Sequence, residues 1–383
     1  MRIILATPVY PPEIGGPATY TKELAIRLRD KHEIVIVAYA STSEIIPGTT
    51  LFVASKRRPL PLRILKFTFD LFKASRGVDV IYVQNAMASG LPAILVGMLR
   101  NIPVVLKFVG DEAWERASQE RQTKKRLEEF LADPDGGWRT SVRMAIQGFV
   151  LRHANIVTTP SLYLRDAIVR TYGIKNERAV VNYNAAEKDA EAPFSATPVM
   201  HQIVTTARLV EWKGLDGIIR AVAILKKRFP DVRAIIAGDG PEEEKLKALA
   251  KELEVNDCIK FTGRVSRAET WHLRKSSEVY VLNSTYEGLP HTALTSFAAR
   301  IPMVATDIPG TNEAVYNEIS GLLVPAGDDQ ALADAIARLF DNPELRTRLV
   351  DGAEKILNDK FSWDAHLKTL LGFFQSVQAK SIA

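Results

Sequence analysis

The sequence predicts an α/β fold with two doubly wound parallel-sheet halves that face a cleft. Short apolar runs alternate with amphipathic runs along nearly all 383 residues. The alternation stops once, in an aperiodic stretch at residues 185–200, and then restarts. Strands that alternate with helices form parallel sheets covered on both faces, and a chain of this length usually has more than one core.

The first half, residues 1–190, begins with a strand at 2–6 and a helix at 19–28. In that helix Tyr20, Leu24 and Leu28 recur on one face. The pattern then predicts strands at 33–40, 78–84, 102–108, 155–159 and 179–182, and helices at 89–100 and 161–172.

The second half, residues 200–362, follows a stretch rich in Ala, Pro and acidic residues, which we interpret as a linker. The pattern predicts strands at 202–207, 232–238, 258–263, 278–283 and 301–307, helices at 214–229, 242–253, 268–276 and 291–299, and a helical tail from 328. Ligands of such sheets bind beyond the carboxyl ends of the strands, so we expect a ligand in the cleft.

Composition excludes several classes of protein. The single cysteine, Cys258, excludes an internal disulfide, and the six histidines show no metal-ligand spacing, so we expect a cytoplasmic protein without a metal site. The longest apolar run, residues 91–99, is half a membrane span, and the N-terminal run is too short for a signal peptide. The net charge of +5 permits an anionic partner and selects none.

The glycine pair Gly15-Gly16 lies between the first strand and the first helix. Glycines allow a ligand to approach the backbone closely, and a helix start offers amides to an anion. The alternative is an ordinary turn, and the pair lacks the spacing of a dinucleotide fingerprint.

Two cations, Arg208 and Lys213, follow the first strand of the second half, and Lys213 directly precedes Gly214 at a helix start. A guanidinium and an ammonium at a helix N-terminus suit a diphosphate. The alternative is a pair of solvated surface charges.

A carboxylate, Glu287, follows the strand at 278–283 and precedes Gly288, Leu289 and Pro290. Because a carboxylate repels phosphate, we interpret it as an acceptor for neutral hydroxyls such as those of a sugar. The alternative is a helix-start carboxylate stabilised by the helix dipole. In the first half, Asp111 and Glu112 follow the strand at 102–108 and are predicted to face the same cleft, with plain loop polarity as the alternative.

The segment at residues 56–73 is basic and amphipathic. Its helical wheel predicts one narrow side with Arg63, Lys66, Asp70 and Lys73, and apolar residues elsewhere. This pattern is typical of helices that lie on anionic membrane surfaces. The alternative is a helix half-buried in the first domain.

Taken in chain order, the motifs GG, RLVxxKG, GDGP, FxG, SxxEGLP and PGTNE resemble those of family 4 retaining glycosyltransferases with the GT-B fold. The resemblance covers nearly the whole chain and is strongest from 203 to 326. It implies two Rossmann-like domains, with a UDP- or GDP-sugar donor held mostly by the second. It also implies a saccharide acceptor of cell-surface glycan synthesis and no metal, and the segment at residues 56–73 motivates a lipid-linked acceptor at the inner face of the membrane. We expect no cofactor and no nucleic acid.

The resemblance also assigns roles to residues. Arg208 and Lys213 match the donor-diphosphate cations, Gly15 and Gly16 the phosphate loop, and Glu287 the acid that meets the donor sugar. Further donor contacts are implied at Gly238, Gly263, Arg264, Gly288, Leu289, Pro290, His291, Thr292 and Thr295. The last helix, residues 363–383, is implied to cross back onto the first domain.

The sequence departs from the family at two positions. Thr295 stands where a second acid binds ribose, which predicts a loss of roughly 1–3 kcal/mol in nucleotide binding. Asp111 lies in a loop where many members have His, and we assign it part of that catalytic role. Two alternatives remain: a nucleotide-binding pseudo-enzyme, motivated by Thr295, and a sugar-nucleotide epimerase of the same fold, which the Arg, Lys and Glu spacing fits less well.

Overall fold

The computed structural model describes residues 1–13, 15–186 and 196–382. Contacts divide the chain into two compact units: unit 1 contains Met1–Asn182 and the C-terminal stretch from Lys368, and unit 2 contains Tyr183–Leu367. Most of the predicted linker, including the predicted boundary at residue 190, lies outside the described residues.

Unit 1 contains a seven-stranded parallel sheet with the strand order β3-β2-β1-β4-β5-β6-β7. Its strands are β1 (Arg2–Thr7), β2 (Glu33–Ala40), β3 (Thr49–Ser55), β4 (Val80–Gln84), β5 (Val104–Lys107), β6 (Ile156–Thr159) and β7 (Ala179–Val181). Its helices are α1 (Gly16–Leu28), α2 (Leu60–Ala74), α3 (Gly90–Arg100), α4 (Glu112–Gln119), α5 (Leu127–Ala132), α6 (Gly137–His153) and α7 (Leu162–Tyr172).

Unit 2 contains a six-stranded parallel sheet with the order β10-β9-β8-β11-β12-β13. Its strands are β8 (Val199–Thr206), β9 (Arg233–Ala237), β10 (Ile259–Gly263), β11 (Ser277–Leu282), β12 (Met303–Thr306) and β13 (Leu322–Val324). Its helices are α8 (Leu215–Lys226), α9 (Glu243–Glu252), α10 (Arg267–Lys275), α11 (His291–Ala299), α12 (Asp329–Asp341) and α13 (Pro343–Lys360). Helix α14 (Trp363–Ile382) begins in unit 2 and belongs to unit 1 from Lys368 onward.

The two parallel sheets confirm the predicted fold class. Ile3, Ile4 and Leu5 in β1 are at most 1% exposed although successive side chains point to opposite faces of the sheet. Helices therefore cover both faces of the central strands, which explains why these strands are continuous apolar runs instead of alternating ones.

Several elements were missed in the sequence. Strand β3 is half-buried at the edge of its sheet, and β13 is a three-residue strand at the edge of the other sheet. Helix α6 begins after Gly136 and with Gly137, both at positive φ, so its start has the sequence signature of a turn. Within the described ranges, no helix combines the length and apolar character that crossing a membrane requires.

Candidate functional site

The carboxyl edge of the unit 2 sheet collects the candidate residues of the second half. Arg208 and Lys213 follow β8, Gly238 follows β9, Gly263 ends β10, and Glu287 follows β11. These four strands are neighbours in the sheet and run parallel, so the residues lie along one rim. This is the edge at which open α/β sheets bind ligands.

Lys213 and Glu287 form an ion pair at this rim. The Lys213 Nζ lies 2.6 Å from Glu287 Oε1, and Ser284 Oγ donates to the same oxygen at 2.7 Å. Glu287 is only 8% exposed, and the two donors hold its carboxylate in a fixed position. Both donors use Oε1, and Oε2 has no hydrogen-bond partner among the described residues.

The loops that present this pair are joined through their backbones. Lys213 ends a 3₁₀ turn, Glu211–Lys213, and Gly214 then adopts φ +58 to start α8. A Cβ on Gly214 would lie 2.0 Å from the carbonyl oxygen of Asn283, whose side-chain amide donates to the Gly214 carbonyl at 2.8 Å. Glycine is therefore required here by both conformation and space.

Two more glycines bring the β9 loop against the loop of Arg208. Gly238 has φ +140, and its Cβ would lie 1.8 Å from the Ala207 carbonyl oxygen. A Cβ on Gly240 would lie 2.3 Å from the Leu209 carbonyl oxygen. Gly240 was not among the predicted site residues, although the GDGP motif contains it.

The loop after β12 packs against the backbone of Glu287. Gly310 has φ +83, and a Cβ there would lie 2.2 Å from the Glu287 carbonyl oxygen and 2.9 Å from that of Gly288. The hydroxyl of Thr306 donates to the carbonyl of Ser284 in the same region. The prediction missed Gly310 as a site residue, and the PGTNE motif was its only signal.

Helix α11 starts directly after the turn of Glu287. Gly288, Leu289 and Pro290 are buried, and the helix begins at the exposed His291. The first amides of a helix have no intrahelical acceptor and form its positive end, so they suit an anion.

Thr295 lies one turn into α11 and is half-buried. Its hydroxyl lies 3.1 Å from the carbonyl oxygens of both His291 and Thr292 and donates within the helix. Only its oxygen lone pairs therefore remain for a ligand.

The two arginines predicted at this rim differ. Arg208 is exposed and forms no ion pair among the described residues. Arg264 pairs with Asp239, Nη2 to Oδ2, at 3.0 Å on the surface. Arg208 is thus the guanidinium that is available to an anionic ligand.

Asp111 in unit 1 is enclosed by helices. It is 1% exposed, caps α4 by accepting from the Trp114 amide at 2.9 Å, and accepts from Gln147 at 2.7 Å and Tyr172 at 2.6 Å. Burial raises the pKa of Asp111, although these donors act in the opposite direction. The neighbouring Glu112 is half-buried and accepts from Asn85 at 2.6 Å. A catalytic role for Asp111 stays a prediction.

Gly15 and Gly16 stand at the start of α1. Gly15 is extended, and a Cβ on Gly16 would meet no described atom within 4 Å. Packing against the described residues therefore does not require glycine at 16. The preceding loop is anchored by Glu13, which accepts from the Ser41 amide at 2.7 Å and pairs with Lys56.

Metal ligands are not grouped in the part of the chain that the structure describes: no three His, Cys, Asp or Glu side chains are placed to hold an ion. Cys258 is a buried free thiol.

Family models match both halves of the chain. The glycosyl transferase 4-like domain matches residues 15–185, and glycosyl transferases group 1 matches residues 197–356. Among curated relatives, the lipopolysaccharide core biosynthesis glycosyltransferase LpsD of Rhizobium meliloti is 33% identical over 56% of this chain and 62% of its own length. The alpha-D-kanosaminyltransferase of Streptomyces kanamyceticus is 32% identical over 46% of this chain and 45% of its own. The chain thus spans about half to three fifths of these relatives.

Longer matches occur at lower identity. The alpha-monoglucosyldiacylglycerol synthase of Streptococcus pneumoniae is 25% identical over 90% of this chain and 80% of its own. HepE of Anabaena, solved in complex with UDP-glucose, has a TM-score of 0.76 at 18% identity and covers 98% of this chain and 100% of its own. Sucrose-phosphate synthase from Thermosynechococcus elongatus has a TM-score of 0.77 at 18% identity, covering 99% and 100%. These structural similarities concern the fold.

Proposed function

The chain belongs to the family 4 glycosyltransferases of the GT-B fold, and on this premise we propose that it moves a hexose from a UDP- or GDP-sugar to a saccharide or lipid-linked acceptor in cell-surface glycan synthesis. The observation that carries the proposal is the Lys213–Glu287 pair, which stands beside a helix start at the ligand-binding edge of unit 2. Unit 2 would thereby hold both a cation for the phosphate and an acceptor for the sugar hydroxyls.

The pair can serve both ends of a nucleotide sugar at once. An ammonium has three donors, so Lys213 can keep its bond to Glu287 while it donates to a phosphate oxygen. Oε2 of Glu287 would then accept from a sugar hydroxyl. Arg208 and the first amides of α11 would complete the diphosphate site.

In the proposed reaction the acceptor hydroxyl oxygen bonds to the anomeric carbon while the bond from that carbon to the diphosphate oxygen breaks. The hydroxyl proton passes to the released diphosphate. Attack on the same face retains the configuration, as in the retaining members that the motifs resemble. Arg208 and Lys213 would stabilise the charge that develops on the diphosphate, and the site would need no metal.

The acceptor side is assigned to unit 1, with the loop of Asp111 and Glu112 as the candidate, while Gly15 and Gly16 would contact the donor phosphate. The name of the Streptococcus pneumoniae relative specifies a diacylglycerol glycolipid as product, which supports a lipid-linked acceptor.

A second candidate function is a nucleotide-binding protein with little or no turnover. It is favoured by Thr295, whose hydroxyl donates to helix carbonyls and replaces a charged ribose acceptor.

Calorimetry and donor hydrolysis with UDP-, GDP- and ADP-sugars distinguish the two functions. For the transferase we expect one donor to bind and to be hydrolysed slowly, and both Glu287→Ala and Arg208→Ala to abolish the hydrolysis. Lys227→Ala, an exposed cation at the end of α8, is the matched control and should leave hydrolysis unchanged. Binding without hydrolysis or transfer supports the second function, and no binding of any donor contradicts both.

A further inference from the structure

Helix α2 buries one face and exposes an apolar one. Phe67 and Leu71 are fully buried against the sheet, as a helix of an α/β unit requires. On the outside, Leu62, Leu65 and Phe69 are 55%, 66% and 63% exposed. The half-buried interpretation of this segment is therefore confirmed, and the membrane-surface interpretation stays a prediction, for which the apolar outer face is available.

The predicted polar side of α2 is wrong at one position. Asp70 is 3% exposed and forms an i, i+4 ion pair with Lys66. The only acidic residue among residues 56–76 is therefore buried and neutralised, which leaves the exposed surface of this segment basic.

Helix α3 extends the apolar face. Its exposed side chains are Leu95, Met98 and Leu99, at 49%, 62% and 73%. The helix packs against α2, and at their C-terminal ends the guanidinium of Arg100 lies 3.8 Å over the ring of Phe72. We call Leu62, Leu65, Phe69, Leu95, Met98 and Leu99 the α2–α3 surface.

The concentration of apolar groups here is unusual for this chain. Of the 15 large hydrophobic side chains exposed in the described residues, seven lie on these two helices. Single exposed apolar residues are normal, but a contiguous group marks an interaction surface.

The surface is bordered by cations. Residues 56–76 contain seven Lys and Arg, of which Arg57, Arg58, Lys73 and Arg76 are exposed, and α3 ends in the exposed Arg100. Lys56 is withdrawn by its ion pair with Glu13. Apolar groups with basic groups at the helix ends match the interface of an anionic bilayer, where acyl chains lie beneath negative headgroups.

We propose that the α2–α3 surface binds the anionic face of a lipid bilayer, with its six apolar side chains at the boundary of headgroups and acyl chains. A second copy of the chain fits less well, since a symmetric contact would place this basic border against itself. The sequence of residues 56–73 predicts a membrane surface on α2 alone, and the structure adds the exposed apolar side chains of α3 to it.

The surface also has a defined relation to the ligand-binding edge of unit 1. Helix α2 starts after the carboxyl end of β3, and the Lys56–Glu13 pair ties this start to the loop before Gly15. A chain docked on α2 and α3 would therefore hold that edge close to the headgroups. Binding of the α2–α3 surface to a bilayer does not depend on the proposed function. Only the use of this orientation, to reach a lipid-linked acceptor, rests on it.

Co-sedimentation of the full chain with vesicles tests the proposal. The vesicles are phosphatidylcholine alone or with about 30% phosphatidylglycerol, and we expect binding only to the second kind. The paired variants Leu65→Ser with Phe69→Ser, and Met98→Ser with Leu99→Ser, should each weaken binding about tenfold or more. Met200→Ser with Ile319→Ser removes two equally exposed apolar groups of unit 2 and should change nothing.

Removing charge is the second arm. Arg57→Ala with Lys73→Ala should lower partitioning about fivefold per cation, and Lys227→Ala should not. The proposal is overturned if the serine and cation variants bind anionic vesicles as well as the wild type does. It is also overturned if the wild type does not bind anionic vesicles. Vesicle-independent dimers that dissociate in the serine variants also overturn it and assign the surface to a second copy. Donor hydrolysis without vesicles should be unchanged in every variant, which separates this test from that of the proposed function.

Discussion

Two buried carboxylates, one in each unit, follow the same sequence pattern and have different surroundings. Asp111 follows β5 and Glu287 follows β11, and each precedes a helix. Asp111 accepts hydrogen bonds on both oxygens from residues that pack α4, α6 and α7 together. Glu287 is held by one oxygen only, from Lys213 and Ser284. We therefore expect an acid after a strand to contact a ligand where its partners leave one oxygen available.

The largest expected effect comes from removing the charge of Glu287. Glu287→Gln should lower donor hydrolysis and transfer about 100- to 1000-fold, because an NH2 donor replaces the free acceptor Oε2 and Lys213 loses the charge of its partner. Steady-state kinetics with the donor found in the screen measures this. Ser284→Ala, which removes the second donor to the same oxygen, should have a much smaller effect. Retention of more than a tenth of the activity in Glu287→Gln would break the comparison.

Asp111 should respond in stability instead. Asp111→Ala removes a helix cap and leaves Gln147 and Tyr172 without their shared acceptor, so we expect about 2–4 kcal/mol of destabilisation. Urea unfolding followed by tryptophan fluorescence measures it. Unchanged stability together with lost activity would instead support the catalytic role predicted from the family.

Gly310 connects the backbone of Glu287 to the β12 loop. Gly310→Ala should displace the Glu287–Gly288 peptide and lower kcat about tenfold or more, because the new Cβ would lie 2.2 Å from a carbonyl oxygen. Gly327 has φ +84 and open space around it, so Gly327→Ala carries the same backbone strain without the contact. If both variants lose activity equally, strain alone explains the effect.

The sequence predicted the features that depend on residues close together in the chain. It missed those that depend on contacts between residues far apart in the chain. Strand-helix alternation predicted the two sheets and the places of Arg208, Lys213 and Glu287 after strands. The partners of Asp111 could not be found, since Gln147 and Tyr172 lie 36 and 61 residues away. The exposed face of α3 was equally hidden, because its apolar run has the same sequence signature as a buried helix.

Thr295 tests how far the site of Glu287 extends along α11. Thr295→Glu should tighten nucleotide binding about tenfold if a ribose hydroxyl lies there, since a carboxylate is a stronger acceptor than a hydroxyl that donates to the helix. Calorimetry with UDP and GDP measures the change. Thr295→Gln offers similar bulk without charge and should tighten binding less. Unchanged or weaker binding in Thr295→Glu would show that the ribose is held elsewhere.

The smallest effect is the contribution of Asp111 to the pH dependence of stability. Burial raises its pKa in the folded chain, so between the unfolded and folded pKa values the folded state binds more protons. The contribution of Asp111 to stability is then complete below the unfolded pKa of about 4 and is lost as the pH rises through the folded one. Wild-type stability should therefore fall relative to that of Asp111→Asn as the pH rises above the unfolded pKa of about 4. Urea unfolding across this range measures the difference, and a constant difference would mean that the three hydrogen bonds fully offset burial.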